Sequence, residues 1–160
     1  MIIVDTNVLA YTLIRGVATP WAEKLRGVDP RWAAPSLWTY EFENIVAAYL
    51  RRDEWDEARA IAALGNAVSL LSVVRDPSPE TVFGLVRKHK ITAYDAQYVA
   101  LAIELNVPLV TEDKELLKKF PGKAYSMETY WNAFGNHDLQ EPAREYRVSS
   151  KQKKASRKKR

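Results

Sequence analysis

Ile2-Ile3-Val4-Asp5-Thr6-Asn7-Val8-Leu9 is the stretch on which the fold turns. A short β-branched run closes on Asp5-Thr6-Asn7, residue types suited to capping a helix, and the apolar stretch Val8 to Ile14 follows. The pattern predicts a strand that runs directly into a helix, with an aspartate at the joint.

The same alternation continues along the chain. Gly16 ends the first helix, and Thr19-Pro20 opens a second that runs to Arg26. Trp32-Ala33-Ala34 before Pro35 predicts a strand, and Ser36 is expected to cap a helix to about Arg51, with another from Asp53 to about Asn66. The continuous apolar run Ser69 to Val74 predicts a buried strand. Ser78-Pro79-Glu80 opens a helix to about His89, and Thr92 or Tyr94 begins another with Ala96, Val99, Ala100 and Ile103 on one stripe, stopped by Asn106 and Pro108. Leu109-Val110-Thr111 predicts a strand, Asp113 starts a helix through Lys119, Lys123 to Tyr125 predicts an edge strand, and Met127 to Phe134 a last helix. Strands alternating with helices require parallel pairing and helices on both faces, so the expected architecture is a three-layer α/β/α sandwich with a parallel central sheet.

Composition agrees with one domain. The 160 residues, 47% hydrophobic and 28% charged, are long enough to bury a core without a disulfide or structural metal. The absence of cysteine excludes thiol nucleophiles and cysteine zinc sites. No apolar run is long enough to cross a membrane and the N-terminus lacks the marks of a signal peptide, so the cytoplasm is the expected compartment. The net charge of +4 hides a division. Lys151, Lys153, Lys154, Arg157, Lys158, Lys159 and Arg160 crowd the last ten residues without an acid; removing those seven from 24 basic residues leaves 17 against 20 acids, a body of about −3. The expected division is therefore a folded domain over 1–134 and an extension over 135–160 whose basic tail is disordered when unbound and offers phosphate contacts to a nucleic acid.

In open α/β sheets, ligands gather beyond the carboxyl ends of the strands. Asp5 and Asp113 are expected there, each just after a strand. Asp95 falls in the first turn of its helix, where an acid also favours the helix dipole. On the helix after Ser36, Trp38, Phe42, Ile45, Val46 and Tyr49 form the apolar stripe; Glu41 borders it, whereas Glu43 turns toward solvent. Packing explains most of the nearby aromatics Trp38, Tyr40, Phe42, Tyr49 and Trp55, and any left exposed would serve a dimer face or a partner's groove.

Taken in order, Ile3-Val4-Asp5-Thr6-Asn7-Val8-Leu9, Ser36-Leu37-Trp38-Thr39-Tyr40-Glu41, Tyr94-Asp95-Ala96-Gln97-Tyr98-Val99-Ala100-Leu101-Ala102 and Leu109-Val110-Thr111-Glu112-Asp113 resemble the acidic motifs of PIN domains, especially bacterial and archaeal VapC-like toxins. The resemblance covers about residues 1 to 134. It implies divalent-metal ribonuclease activity on RNA, homodimerisation and, in toxin members, inhibition by a cognate antitoxin. The acids that match are Asp5, Glu41, Asp95 and Asp113. Crowded carboxylates repel one another, and a hard cation relieves the repulsion, so Mg²⁺ or Mn²⁺ is expected rather than zinc, which favours His or Cys. Asp5 and Asp95 are expected to anchor the cation, with Glu41 and Asp113 completing its shell directly or through water; Asn7 and Thr111 are expected to orient these ligands, and Thr6 reads as a cap or turn residue.

Other readings fit less well. A haloacid-dehalogenase-like phosphatase expects a second aspartate where Asn7 stands, and a dinucleotide-binding fold expects a glycine-rich loop that the six scattered glycines do not form. The remaining alternative is a catalytically silent PIN-like module that binds RNA or protein.

Overall fold

In the computed structural model, which describes residues 1–135, the Ile2–Val4 run is the middle strand of the sheet. This strand, β1, is fully buried, as expected of a strand covered by helices on both faces. It pairs in parallel with β2 (Trp32–Ala34) on one side and β4 (Leu109–Val110) on the other; β3 (Leu71–Val74) and β5 (Ala124–Tyr125) form the two edges, giving the order β3-β2-β1-β4-β5. All four pairings are parallel.

The chain therefore travels outward from β1 through β2 to β3, then returns to the far side of β1 for β4 and β5. Helices α1 (Thr6–Leu13), α2 (Thr19–Val28), α3 (Trp38–Arg51) and α4 (Glu57–Leu70) make the first set of crossovers, and α5 (Pro79–His89), α6 (Ala93–Glu104) and α7 (Lys114–Lys119) make the second. Right-handed crossovers put these two sets on opposite faces. The packing agrees, since α1 lies against α2, α3 and α4, while α5 lies against α6. Helix α8 (Met127–Phe134) turns back from β5 to pack on α2. The reversal of direction between β1 and β4 opens a crevice at their carboxyl ends, where an open α/β sheet binds its ligands.

The local rules explain most boundaries. Asp5, Asp56, Ser78, Thr92, Asp113 and Ser126 each cap a helix by accepting a backbone N–H. Three expectations need correction. Ser36 does not cap α3; its hydroxyl and amide donate to the Asp76 carboxylate, and α3 starts at Trp38 without a side-chain cap. Asp53 does not start α4 either, because it takes a left-handed turn conformation (φ 55°) and Asp56 caps the helix instead. Finally, α4 continues to Leu70, and β3 is not buried: as an edge strand it leaves Val73 and Val74 exposed. On α6, Ile103 is exposed while Tyr98 and Leu101 are buried, so this helix buries more than the single stripe expected of it.

Among the described residues, no helix is long and apolar enough to cross a membrane. The basic segment 151–160 lies outside the described residues.

Candidate active site

Asp5 leaves the end of β1 and caps α1. Its Oδ1 accepts from the Val8 amide at 2.9 Å, and its Oδ2 accepts from the Thr111 hydroxyl at 2.5 Å. Thr111 is the first residue past β4, and its hydroxyl oxygen also accepts from the Asp113 amide at 3.0 Å. The ends of the two central strands are thus joined through side chains. Asp5 is only 8% exposed. Burial pushes its pKa from 3.8 up to about 6; bonds from Thr111 and Val8 pull the other way, and the charges of Glu41 and Glu112 push it further up.

Glu41, in the first turn of α3, is half-buried, while Glu43 is exposed. Its Oε2 accepts from Thr6 at 2.7 Å and from Tyr98 at 2.5 Å. Asp95 forms a capping pair at the start of α6: its amide donates to Thr92 Oγ1, and Thr92 Oγ1 donates to Asp95 Oδ2 at 2.6 Å. Asp113 caps α7 through Oδ1, which accepts from the Leu116 amide at 2.8 Å. Among the described residues, Glu41 Oε1, Asp95 Oδ1 and Asp113 Oδ2 have no hydrogen-bond partner.

All four acids line one cavity of 260 Å³, together with Thr6, Asn7, Asn44, Ile45, Tyr98, Thr111 and Leu116. They do not form a closed cage: among the described residues, no group of three acids stands close enough to hold a metal ion directly. The donor set suits Mg²⁺ or Mn²⁺, because these ions take oxygen ligands and Mg²⁺ usually keeps several of its own waters.

The PIN domain pattern matches residues 2–123. The chain belongs to the PIN-domain family. It is 29% identical over 124 residues to "Ribonuclease VapC3" of Pyrobaculum aerophilum, spanning 75% of this chain and 95% of that protein. It is 37% identical over 84 residues to "Ribonuclease VapC1" of Mycobacterium tuberculosis, covering 52% of this chain and 63% of the relative. The fold also matches the crystal structure of PAE2754 from Pyrobaculum aerophilum, with TM-score 0.67 and 27% identity over 83% of this chain and 88% of that one. A "Toxin-antitoxin complex from Klebsiella pneumoniae" shares the fold at TM-score 0.56 and 22% identity, covering 79% of this chain and 98% of the other.

In this PIN domain, Asn7 and Thr111 also line the cavity, Asn7 exposed and Thr111 fully buried. Asn44 and Tyr98 are polar lining residues that the sequence does not single out. Asn44 stands one helical turn after Glu41, and Tyr98 one turn after Asp95, so the i, i+3 spacing from each acid carried the signal. Thr6 does more than end a turn, because its hydroxyl reaches Glu41 across the site.

Proposed function

We propose that this PIN domain is a divalent-metal-dependent ribonuclease that hydrolyses RNA phosphodiester bonds and acts as the toxin of a toxin–antitoxin pair. The observation that carries this reading is the convergence of Asp5, Glu41, Asp95 and Asp113 on one cavity at the crevice between β1 and β4. The names of the VapC relatives support the ribonuclease reading and, with it, RNA as substrate; an antitoxin as partner is part of the proposal and follows from the resemblance to VapC-like toxins.

In this reading Asp5 and Asp95 anchor Mg²⁺ or Mn²⁺, and Glu41 and Asp113 complete the shell directly or through water. When bound, the cation lowers the pKa of a coordinated water and offsets charge on the scissile phosphate. The chain's own residues hold the ligands in place. Val8 and Thr111 pin Asp5, Thr92 pins one oxygen of Asp95, and the α7 amide of Leu116 pins one oxygen of Asp113. Each bond fixes an orientation before substrate arrives, the preorganisation that makes such charges effective. Burial of Asp5 adds to this, since a carboxylate deprived of water gains more from a cation than an exposed one.

A homodimer belongs to the same reading. Tyr40 and Phe83, 71% and 66% exposed, line a second cavity of 420 Å³ with Leu37, Pro77, Pro79 and Val82, an apolar face for a second copy to cover. The other aromatics of the α3–α4 region are accounted for within the fold: Trp38 and Phe42 are buried, and Tyr49 stacks on Trp55 at 4.9 Å.

The test is cleavage of a panel of structured RNAs by the purified protein, with Mg²⁺ or Mn²⁺ and then with a chelator. Cleavage abolished by chelation supports the ribonuclease; binding without cleavage under either condition marks a silent module.

A further inference from the structure

Tyr98 and Thr6 meet Glu41 at a single atom. Tyr98 comes from α6, Thr6 from the first turn of α1 and Glu41 from α3, so three helices on two sides of the sheet converge on Glu41 Oε2. Tyr98 and Thr6 are each only 4% exposed, and their hydroxyls also lie 2.7 Å from each other. Oε1 of the same carboxylate has no hydrogen-bond partner among the described residues.

Resting on the metal-dependent reading above, we propose that Tyr98, aided by Thr6, is a positioning residue that locks the Glu41 carboxylate by Oε2 and reserves Oε1 for the cation.

Proton counting supports positioning over direct chemistry. Each hydroxyl carries one proton, so an ionised Glu41 and the two hydroxyls share two protons among three contacts. Both protons are consumed inside the trio, and neither is left for a substrate oxygen. Burial, and next the bond to Glu41, raise the Tyr98 phenol above its usual value. A glutamate has three side-chain torsions to restrain, more than an aspartate; Asp5 and Asp113 cap their helices and Asp95 bonds to the cap residue of its own helix, whereas Glu41 takes part in no cap. Asp5 and Asp113 are held by the backbone of their own helices and Asp95 by Thr92, whereas Glu41 depends on hydroxyls from two other helices. Tyr98 also follows Asp95 by one turn, so the helix that carries one ligand carries the restraint on another.

The test compares the wild type with Tyr98→Phe and Thr6→Val in the full chain, reading Mn²⁺ affinity by electron paramagnetic resonance alongside RNA cleavage. Tyr98→Phe is expected to weaken Mn²⁺ binding about tenfold, the scale of one hydrogen bond to a charged group. Its cleavage should fall at limiting Mn²⁺ and recover at saturating Mn²⁺, with KM for RNA unchanged. Thr6→Val should show a smaller loss in the same direction, and Thr6→Ser should restore the wild-type affinity. If Tyr98→Phe melts well below the wild type, Thr6→Val and its serine rescue decide. Wild-type Mn²⁺ affinity in folded Tyr98→Phe, or in Thr6→Val, would overturn the clamp while leaving the ribonuclease reading intact. A wild type that binds no Mn²⁺ would overturn both.

Discussion

Thr111 joins the carboxyl ends of the two central strands, donating its hydroxyl proton to Asp5 Oδ2 at 2.5 Å while accepting from the Asp113 amide at 3.0 Å. Thr111→Val keeps the shape but leaves a buried carboxylate oxygen without its donor and the Asp113 amide without its acceptor. A hydrogen bond to a charged group contributes about 1.5–3 kcal/mol, so the variant should lose roughly that much stability. Urea unfolding checks the loss, and cleavage by the variant should fall with it because Asp5 is no longer held.

Asp5 also predicts how the metal-free protein responds to pH. Its folded pKa, about 6, lies above the ordinary 3.8, so the folded state binds the proton more tightly than the unfolded chain. The stabilisation this provides is full below about pH 4 and disappears as pH rises through 6, a change of roughly 3 kcal/mol. Urea melts in a chelator should therefore show wild type losing stability between pH 4.5 and pH 7.5 relative to Asp5→Asn. Parallel profiles for the two proteins would contradict the assignment.

Much of this is legible in the sequence because β1 is a short apolar run that leads straight into Asp5 and β4 one that is followed within three residues by Asp113, a pattern that needs no tertiary information. The Ser69 to Val74 run misled because continuous hydrophobicity describes a buried strand and the end of a helix equally well. Its first two residues complete α4, and the remainder forms an edge strand that leaves Val73 and Val74 exposed. Ser36 looked like a cap, but Asp76, forty residues on, competes for its hydroxyl. Tyr98 is illegible for a similar reason: an aromatic on a buried helix is indistinguishable from packing until the fold brings Glu41 to its hydroxyl.

The exposed rings of Tyr40 and Phe83 beside the second cavity predict the oligomeric state. Light scattering at micromolar concentration should give a dimer, and Phe83→Ser, changing a side chain that is already exposed, should shift the mass toward the monomer with stability altered by no more than about 0.5 kcal/mol. A wild type that stays monomeric would contradict the dimer.

The tail predicts salt dependence. Seven Lys/Arg in residues 151–160 add positive charge to a body that is mildly negative, and each phosphate they neutralise releases counterions. Deleting 151–160 should weaken RNA binding at low salt and flatten its dependence on salt, with the cut position and metal requirement unchanged. Equal salt slopes for truncated and full-length proteins would show that the tail takes no part.

The central claim is that the four carboxylates around the cavity serve metal-dependent RNA cleavage. Asp5→Asn tests it most directly, because it removes one charge from the most buried acid and keeps an acceptor for the Val8 amide that Asp5 caps. The measurement is the rate of RNA cleavage at saturating Mn²⁺ by purified wild type and variant, with circular dichroism confirming that both are folded. Wild type should cleave RNA in a reaction that a chelator abolishes, and the variant should lose at least a hundredfold, about 2.7 kcal/mol of transition-state stabilisation. Cleavage by folded Asp5→Asn at the wild-type rate would contradict it.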